Sequence, residues 1–446
     1  MLGREAQSGR VGVTAFDYGD PPSAGWLAAC AAALLLSTLA TGVATAAPAA
    51  TTTSADDPTV ITDWNALAMT TLAGDTTKQG PETALYMGFV QAAVYNAVVG
   101  IEGRYAPYRF HARAPRGASA QAAAVAAAHK VLVTYSPYAQ ATLDTARAAS
   151  LAQIPDGKAK TRGISFGTHA AEHLVKLRAH DGRNAAIEFT QPPAPGVWRP
   201  TPPGMAPMVH PWMGFVTPLL VHRASQFAPP DPPALTSARY TRDFAEVKAV
   251  GSASSTVRTP AQTDTARFYS GNGVVQFNAA LRDQVAVRHL DIVEAARMFA
   301  AIDMSLGDAV ITVWYAKYRH GYWRPITAIN LADTDGNPAT IPDPSWVPLF
   351  PSPAYPEYPS GYVSLAAVAS HGLAEVLGTR HLRLTLISTA VPGVTRQYDS
   401  GRELRSDVVD ARMWLGIHFR FADTAASDLG VRLADWTVDH YFQPVR

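Results

Sequence analysis

Residues 291–325 read DIVEAARMFAAIDMSLGDAVITVWYAKYRHGYWRP. Asp291 followed three residues later by Glu294 forms a capping box, a signature of a helix start. Phe299, Ile302, Leu306, Val310, Val313 and Lys317 then recur at steps of three and four, which puts them on one helical face. Lys317, Arg319 and His320 crowd the last turn, where the helix dipole favours cations, and Gly321 suits a C-terminal cap. The stretch predicts one long helix that begins at Asp291 and delivers the sequence Lys317 to Arg324-Pro325, a K-x6-R-P pattern, at its end.

Working outward, helical periodicity prevails. Thr83 to Val99 carries Leu85, Met87, Val90, Ala93, Val94 and Val98 on one side. Gln121 to Tyr135, Ala139 to Leu151 and Lys158 to His180 continue the pattern. Downstream, a helix is expected from near Ser360 to just before Gly378, another from about Ser406 to Leu415, and a last one after Asp423. Period-2 alternation is almost absent. The predicted fold is all-α, built from packed helical bundles. Its expected organisation is a signal peptide over 1–46, an N-terminal helical region over 60–235 and a C-terminal helical region over 236–446 that carries the chemistry.

One stretch breaks the pattern. From Gln191 to Pro233, runs such as Thr201-Pro202-Pro203-Gly204 and Pro229-Pro230-Asp231-Pro232-Pro233 exclude a regular helix. Trp198, Trp212, Phe215 and Phe227 make this stretch too apolar for a free linker. It is expected to lie over the helical body and form part of a cleft wall.

Charge narrows the class. The 446 residues include 37 basic and 36 acidic ones, for a net charge of +1. That balance carries no electrostatic footprint for duplex nucleic acid and excludes an acidic disordered chain. Near the N-terminus an apolar run from Gly25 to Val43 is followed by Ala44-Thr45-Ala46, a small-residue cleavage site. The expectation is a secreted, extracellular protein cleaved after Ala46, with no membrane span left. The only cysteine, Cys30, lies in that run. The mature chain would then have no disulfide, thiolate ligand or thiol nucleophile.

Three fragments carry the chemistry: Lys317 to Pro325, then Pro359-Ser360-Gly361-Tyr362, then Arg412 to His418 in an R-x5-H pattern. Lys317, Arg324 and Arg412 supply three positive charges. Arginine's planar fork suits tetrahedral oxyanions and lysine adds a compact charge. Only seven of the 37 basic residues are lysine, and one sits in this aromatic-rich segment. Ser360 offers a hydroxyl, and Gly361 a backbone N–H, where a helix begins, a natural anion site. His418, just past a helix end, offers a ring nitrogen to the central atom. The set suits phosphate or its isostere vanadate.

Two other patterns compete. His169-Ala170-Ala171-Glu172-His173 fits the inverted zinc-protease motif, but no third ligand is identifiable, so a plain helix with two surface histidines is expected. Asp333-Thr334-Asp335-Gly336-Asn337 is similar to a calcium loop but has Pro344 where glutamate is needed. It reads as a turn.

The ordered trio resembles the signature of the vanadium-dependent haloperoxidases and type 2 phosphatidic acid phosphatases: K-x6-R-P, then P-S-G-H, then S-R-x5-H. Segments such as Ile101 to Tyr105, Pro195 to Pro200 and Gly416 to Phe421 look like those of secreted bacterial members. The resemblance implies that Lys317, Arg324, Ser360, Gly361 and Arg412 bind the oxyanion's oxygens. It makes His418 the axial ligand to vanadium, or the nucleophile on phosphorus, and vanadate the cofactor, with phosphate as a competing ligand. The implied substrates are small molecules: halide and peroxide, or a phosphate ester. Two positions depart from the signature. Ala411 replaces the serine before Arg412, and Tyr362 stands where the family has its acid/base histidine. Halide oxidation, phosphate ester hydrolysis and oxyanion binding without turnover all remain open at this point.

Overall fold

Tertiary structure was taken from a computed structural model, which describes residues 57–445 except Gln79. The apolar run, Ala46 and Cys30 lie outside the described residues. The described chain is helical, as expected. In order it forms α1 (Thr59–Ala73), α2 (Gly80–Glu102), α3 (Ala120–Tyr135), α4 (Gln140–Ala152), α5 (Lys158–Leu177), α6 (Ala238–Val250), α7 (Pro260–Phe268), α8 (Gly273–Val287), α9 (Ile292–His320), α10 (Pro325–Asn330), α11 (Gly361–Leu377), α12 (Gly401–Trp414) and α13 (Arg420–His440).

The centre of the body is α9. Asp291 caps it through both arms of the predicted box, and Gly321 closes it in the left-handed conformation at φ 54°. Helices α2, α11 and α13 pack on α9, while α3 and α5 back α2. By length and composition, α2 and α9 could each cross a membrane. Here other helices wrap them, and 89% and 94% of their apolar windows are buried. Burial rather than a lipid phase satisfies their hydrophobicity.

Some boundaries differ from the sequence expectation. Helix α12 begins at Gly401 rather than Ser406, because Ser400 and Glu403 make a capping box of their own. Helix α13 begins at Arg420, so Asp423 lies inside its first turn instead of preceding it. A short antiparallel hairpin, β1 (Leu384–Ile387) with β2 (Thr395–Tyr398), pairs Leu384 with Tyr398 and Leu386 with Arg396. Leu384, Leu386 and Tyr398 point into the core, a two-residue period that four-residue strands display only faintly in sequence.

The proline-rich stretch lies over the body as expected, with one 3-10 turn at Pro211–Phe215. Its anchor is Asp308 of α9, fully buried, whose carboxylate accepts the backbone N–H groups of Leu219, Leu220 and Val221 at 2.6, 2.7 and 2.9 Å. Gly214 sits so close to α9 that a Cβ would lie 2.5 Å from the Tyr315 nitrogen. Further along, the Trp198 N–H donates to the Gly321 carbonyl and the Trp323 N–H to the Gly196 carbonyl. The stretch thereby fixes the loop that carries Arg324. Pro229, Pro230, Asp231 and Pro233 line one side of a cavity of about 500 Å³, opposite Phe421, Thr424 and Asp428 of α13.

Candidate functional site

Lys317 leaves the last turn of α9 and is fully buried. Its Nζ donates to the carbonyls of Pro356 and Glu357 at 2.7 and 2.8 Å. Gly321 turns the chain, the Glu357 N–H donates to the Tyr322 carbonyl at 2.8 Å, and Arg324 follows at the start of α10. Arg324 donates from Nε to the Tyr355 carbonyl at 2.9 Å and from Nη1 to the Ile417 carbonyl at 2.8 Å. Arg412, in the last turn of α12, donates from Nη1 to the Tyr269 carbonyl at 2.7 Å. These carbonyls orient three cations without neutralising them.

Ser360 is the N-cap residue of α11, yet its hydroxyl makes no capping bond. Serine at this position ordinarily satisfies a backbone N–H of the first turn. Here the hydroxyl is buried without a partner of regular geometry, and so are Arg324 Nη2 and Arg412 Nε. Three buried donors from three elements are thus left over at one place, whereas buried polar groups in folded proteins are ordinarily paired. Above Gly361 there is open space: a Cβ there would meet only Trp314 Cζ3, at 3.6 Å.

His418 lies between α12 and α13, where the sequence placed it, and is buried. Its Nδ1 is 2.9 Å from Glu357 Oε1, which also accepts the Phe419 N–H at 2.9 Å. A proton on Nδ1 serves that carboxylate and leaves the lone pair on Nε2, which is 3.5 Å from Arg324 Nη1. Burial, then Arg324, Lys317 and Arg412, hold the ring well below the usual histidine range, so it stays neutral. Burial pushes Glu357 up to about 7 against the pull of Lys317 and Arg324. Burial and Arg324 push Lys317 well down, opposed by Glu357 and Asp423.

The structure therefore brings Lys317, Arg324, Ser360, Arg412 and His418 to one buried locus, with Gly361 at its edge. Tyr362 behaves differently. Its hydroxyl donates to Gln276 Oε1, and its ring lies 4.8 Å from the Arg412 guanidinium carbon. Burial outweighs the Arg412 charge and raises the pKa of this phenol. Tyr362 is a platform for Arg412, with its hydroxyl already committed.

Sequence reading missed Glu357, Asp423 and Tyr355. Glu357 lies three residues before Ser360, and its closeness to the motif was the available signal. Asp423 was taken for a helix-start marker; it is fully buried beside Ser360. Tyr355 presents its ring to Lys317 and Arg324 at 5.0 and 4.8 Å, a contact that no spacing rule reveals.

The competing patterns stay apart from this locus. His173 Nε2 bonds the Arg109 carbonyl, His169 packs against Phe110, and Glu172 approaches Lys130. Asp335 accepts the Asn337 N–H in a turn. His320 faces Asp231 and Tyr358, and His371 pairs with Asp435 on the surface.

Comparison with known proteins agrees with this geometry. Residues 297–446 match the family described as the VCPO second helical-bundle domain. Vanadium chloroperoxidase of Curvularia inaequalis is 26% identical over 269 residues, covering 45% of this chain and 44% of that protein. The match thus spans less than half the length of that curated relative. Among solved structures, one described as the first bacterial vanadium-dependent iodoperoxidase superposes with a TM-score of 0.76 at 21% identity, covering 87% of this chain and 97% of that one. A holo-type bacterial vanadium-dependent chloroperoxidase gives 0.66 at 16% identity, covering 81% and 92%. At these identities the two structures speak to the fold alone.

Proposed function

We propose that this chain, which belongs to the superfamily of the vanadium-dependent haloperoxidases and type 2 phosphatidic acid phosphatases, is an exported enzyme that binds vanadate or phosphate and catalyses peroxide-dependent halide oxidation. The observation that carries this reading is the set of buried donors, Arg324 Nη2 and Arg412 Nε without partners and Ser360 Oγ with only Asp423 beside it, next to the lone pair of His418 Nε2. A tetrahedral oxyanion supplies acceptors for all three donors, and a central atom for the ring nitrogen. Vanadate fits this donor set, and when bound it would supply Lewis acidity that activates peroxide.

The chain's own residues do the rest. Lys317, Arg324 and Arg412 hold charge that develops on the anion's oxygens, in a site that excludes water and strengthens each interaction. Glu357 keeps the His418 ring in one tautomer. His418 stays neutral because it is buried and because three cations surround it, and only the neutral ring can ligate or attack.

Tyr362 favours a second reading, a catalytically weakened oxyanion-binding homologue. Its hydroxyl is bonded to Gln276, and general acid–base help is typically worth roughly 10²–10⁴-fold in rate. A phosphatase working through a phosphohistidine at His418 would use the same cradle. The deciding experiment assays purified protein with and without vanadate for halide oxidation and phosphatase activity side by side. Vanadate-dependent halide oxidation that His418→Ala abolishes supports the proposal. Phosphate ester hydrolysis without halide oxidation overturns it in favour of the phosphatase, and anion binding without either activity in favour of the weakened homologue.

A further inference from the structure

We propose that oxyanion binding here requires a proton on Asp423, which acts through Ser360 as a neutral carboxylic acid: the Asp423 O–H donates to Ser360 Oγ, and the Ser360 O–H donates to the bound anion. This rests on the oxyanion-site reading above and identifies the proton on which that site depends.

Asp423 is fully buried, in the first turn of α13. No Lys or Arg nitrogen among the described residues lies within 4.0 Å of it, and neither carboxyl oxygen has a hydrogen bond of regular geometry. An ionised carboxylate is costly to bury in that state. The groups around it do not remove the cost. On α12, Arg412 is within electrostatic reach but donates to the Tyr269 carbonyl. On α9, Lys317 donates to the Pro356 and Glu357 carbonyls. Arg420, on α13 itself, is held by Glu246 and Asp410. Asp243 of α6 accepts the Phe421 N–H, and Glu357 adds a like charge. Burial raises Asp423 well above the usual carboxyl range, and the nearby Ser360 hydroxyl opposes this only in part.

Ser360 is the connection. Its backbone N–H reaches the Ala422 carbonyl at 3.3 Å, which brings it next to Asp423. A serine hydroxyl has one proton and two acceptor sites. Beside a neutral Asp423 it accepts that acid's proton and directs its own toward the anion. Beside an ionised Asp423 it turns round and donates to the carboxylate. The cradle then loses a donor and gains a negative charge.

Sulfate tests this, because it is a dianion that does not titrate between pH 5 and 9. Calorimetry of wild-type protein should show sulfate affinity falling by about tenfold per pH unit once Asp423 ionises. Asp423→Asn presents an N–H to Ser360 as the neutral acid would, so it should keep the acid-side affinity at every pH. A variant as pH-dependent as the wild type overturns the proposal. A second readout needs no variant: the infrared difference spectrum of sulfate-loaded against free protein. A neutral-carboxyl band that shifts with ¹³C-aspartate and not with ¹³C-glutamate supports the relay, and its absence sinks it. If sulfate, phosphate and vanadate all fail to bind at millimolar concentration, the oxyanion cradle itself is wrong. Binding that is flat with pH and lacks the band refutes Asp423 alone.

Discussion

At the scale of single residues, the proposed site separates groups that would hold an anion from groups that hold those side chains in place. Tyr362 is of the second kind. Tyr362→Phe keeps the ring under Arg412 and removes only the bond to Gln276. Phosphate affinity should stay within a factor of two, while denaturant unfolding should show a loss of about 1 kcal/mol. A large drop in affinity would place the hydroxyl on the anion after all. Asp303, inside α9, behaves differently because its carboxyl is buried away from the site. It accepts from Asn278, which in turn accepts from Asn65. Burial pushes it up to about 7. A raised folded-state pKa gives stability that is complete below the unfolded carboxyl value near 3.9 and is lost as pH rises toward 7. Asp303→Asn should remove that loss, so the variant should gain on the wild type between pH 4 and 7, at up to about 1.4 kcal/mol per unit. Parallel stability curves across that range would show that Asp303 does not titrate there.

At the scale of elements, the proposed cradle is a meeting of helix ends. Helix α9 delivers Lys317 at its C-terminus, α12 delivers Arg412, α11 presents Ser360 and Gly361 at its N-terminus, and α13 presents Asp423 just after His418. The relation of α11 to α13 therefore matters more than the composition of either. Gly430 sets it: a Cβ there would lie 2.6 Å from both Ala367 Cβ and the Ser364 carbonyl oxygen. Gly430→Val should force the helices apart, costing about 1–3 kcal/mol of stability by overpacking. Phosphate affinity should weaken too, although no site residue changes. Unaltered affinity in a destabilised variant would mean that the cradle tolerates movement of α13.

For the whole molecule, ligand and fold are linked by mass action. A ligand at a hundred times its Kd stabilises the native state by about 2.7 kcal/mol. Phosphate and vanadate should each raise Tm and compete with one another. Arg324→Ala and Arg412→Ala should each abolish most of the rise, because each removes one of the donors without a partner and one positive charge. Equal Tm shifts in wild type and both variants would move anion binding elsewhere on the surface.

The sequence by itself determined the helices and named the residues that the structure gathers at one buried locus. Caps and periodicity are local, so Asp291, Glu294, Gly321 and Gly378 marked their helix ends directly. The three basic residues, Ser360, Gly361 and His418 were legible because their spacings within each fragment are fixed by helix ends and short turns. Tertiary structure alone decided what stands behind them. That Glu357 holds the His418 ring, that Asp423 lies beside Ser360, and that the Tyr362 hydroxyl is taken by Gln276 are contacts across 61, 63 and 86 positions of chain. No local rule encodes such contacts. They arise when α8, α11 and α13 close on α9 and bury polar groups together, and burial then sets which groups carry charge.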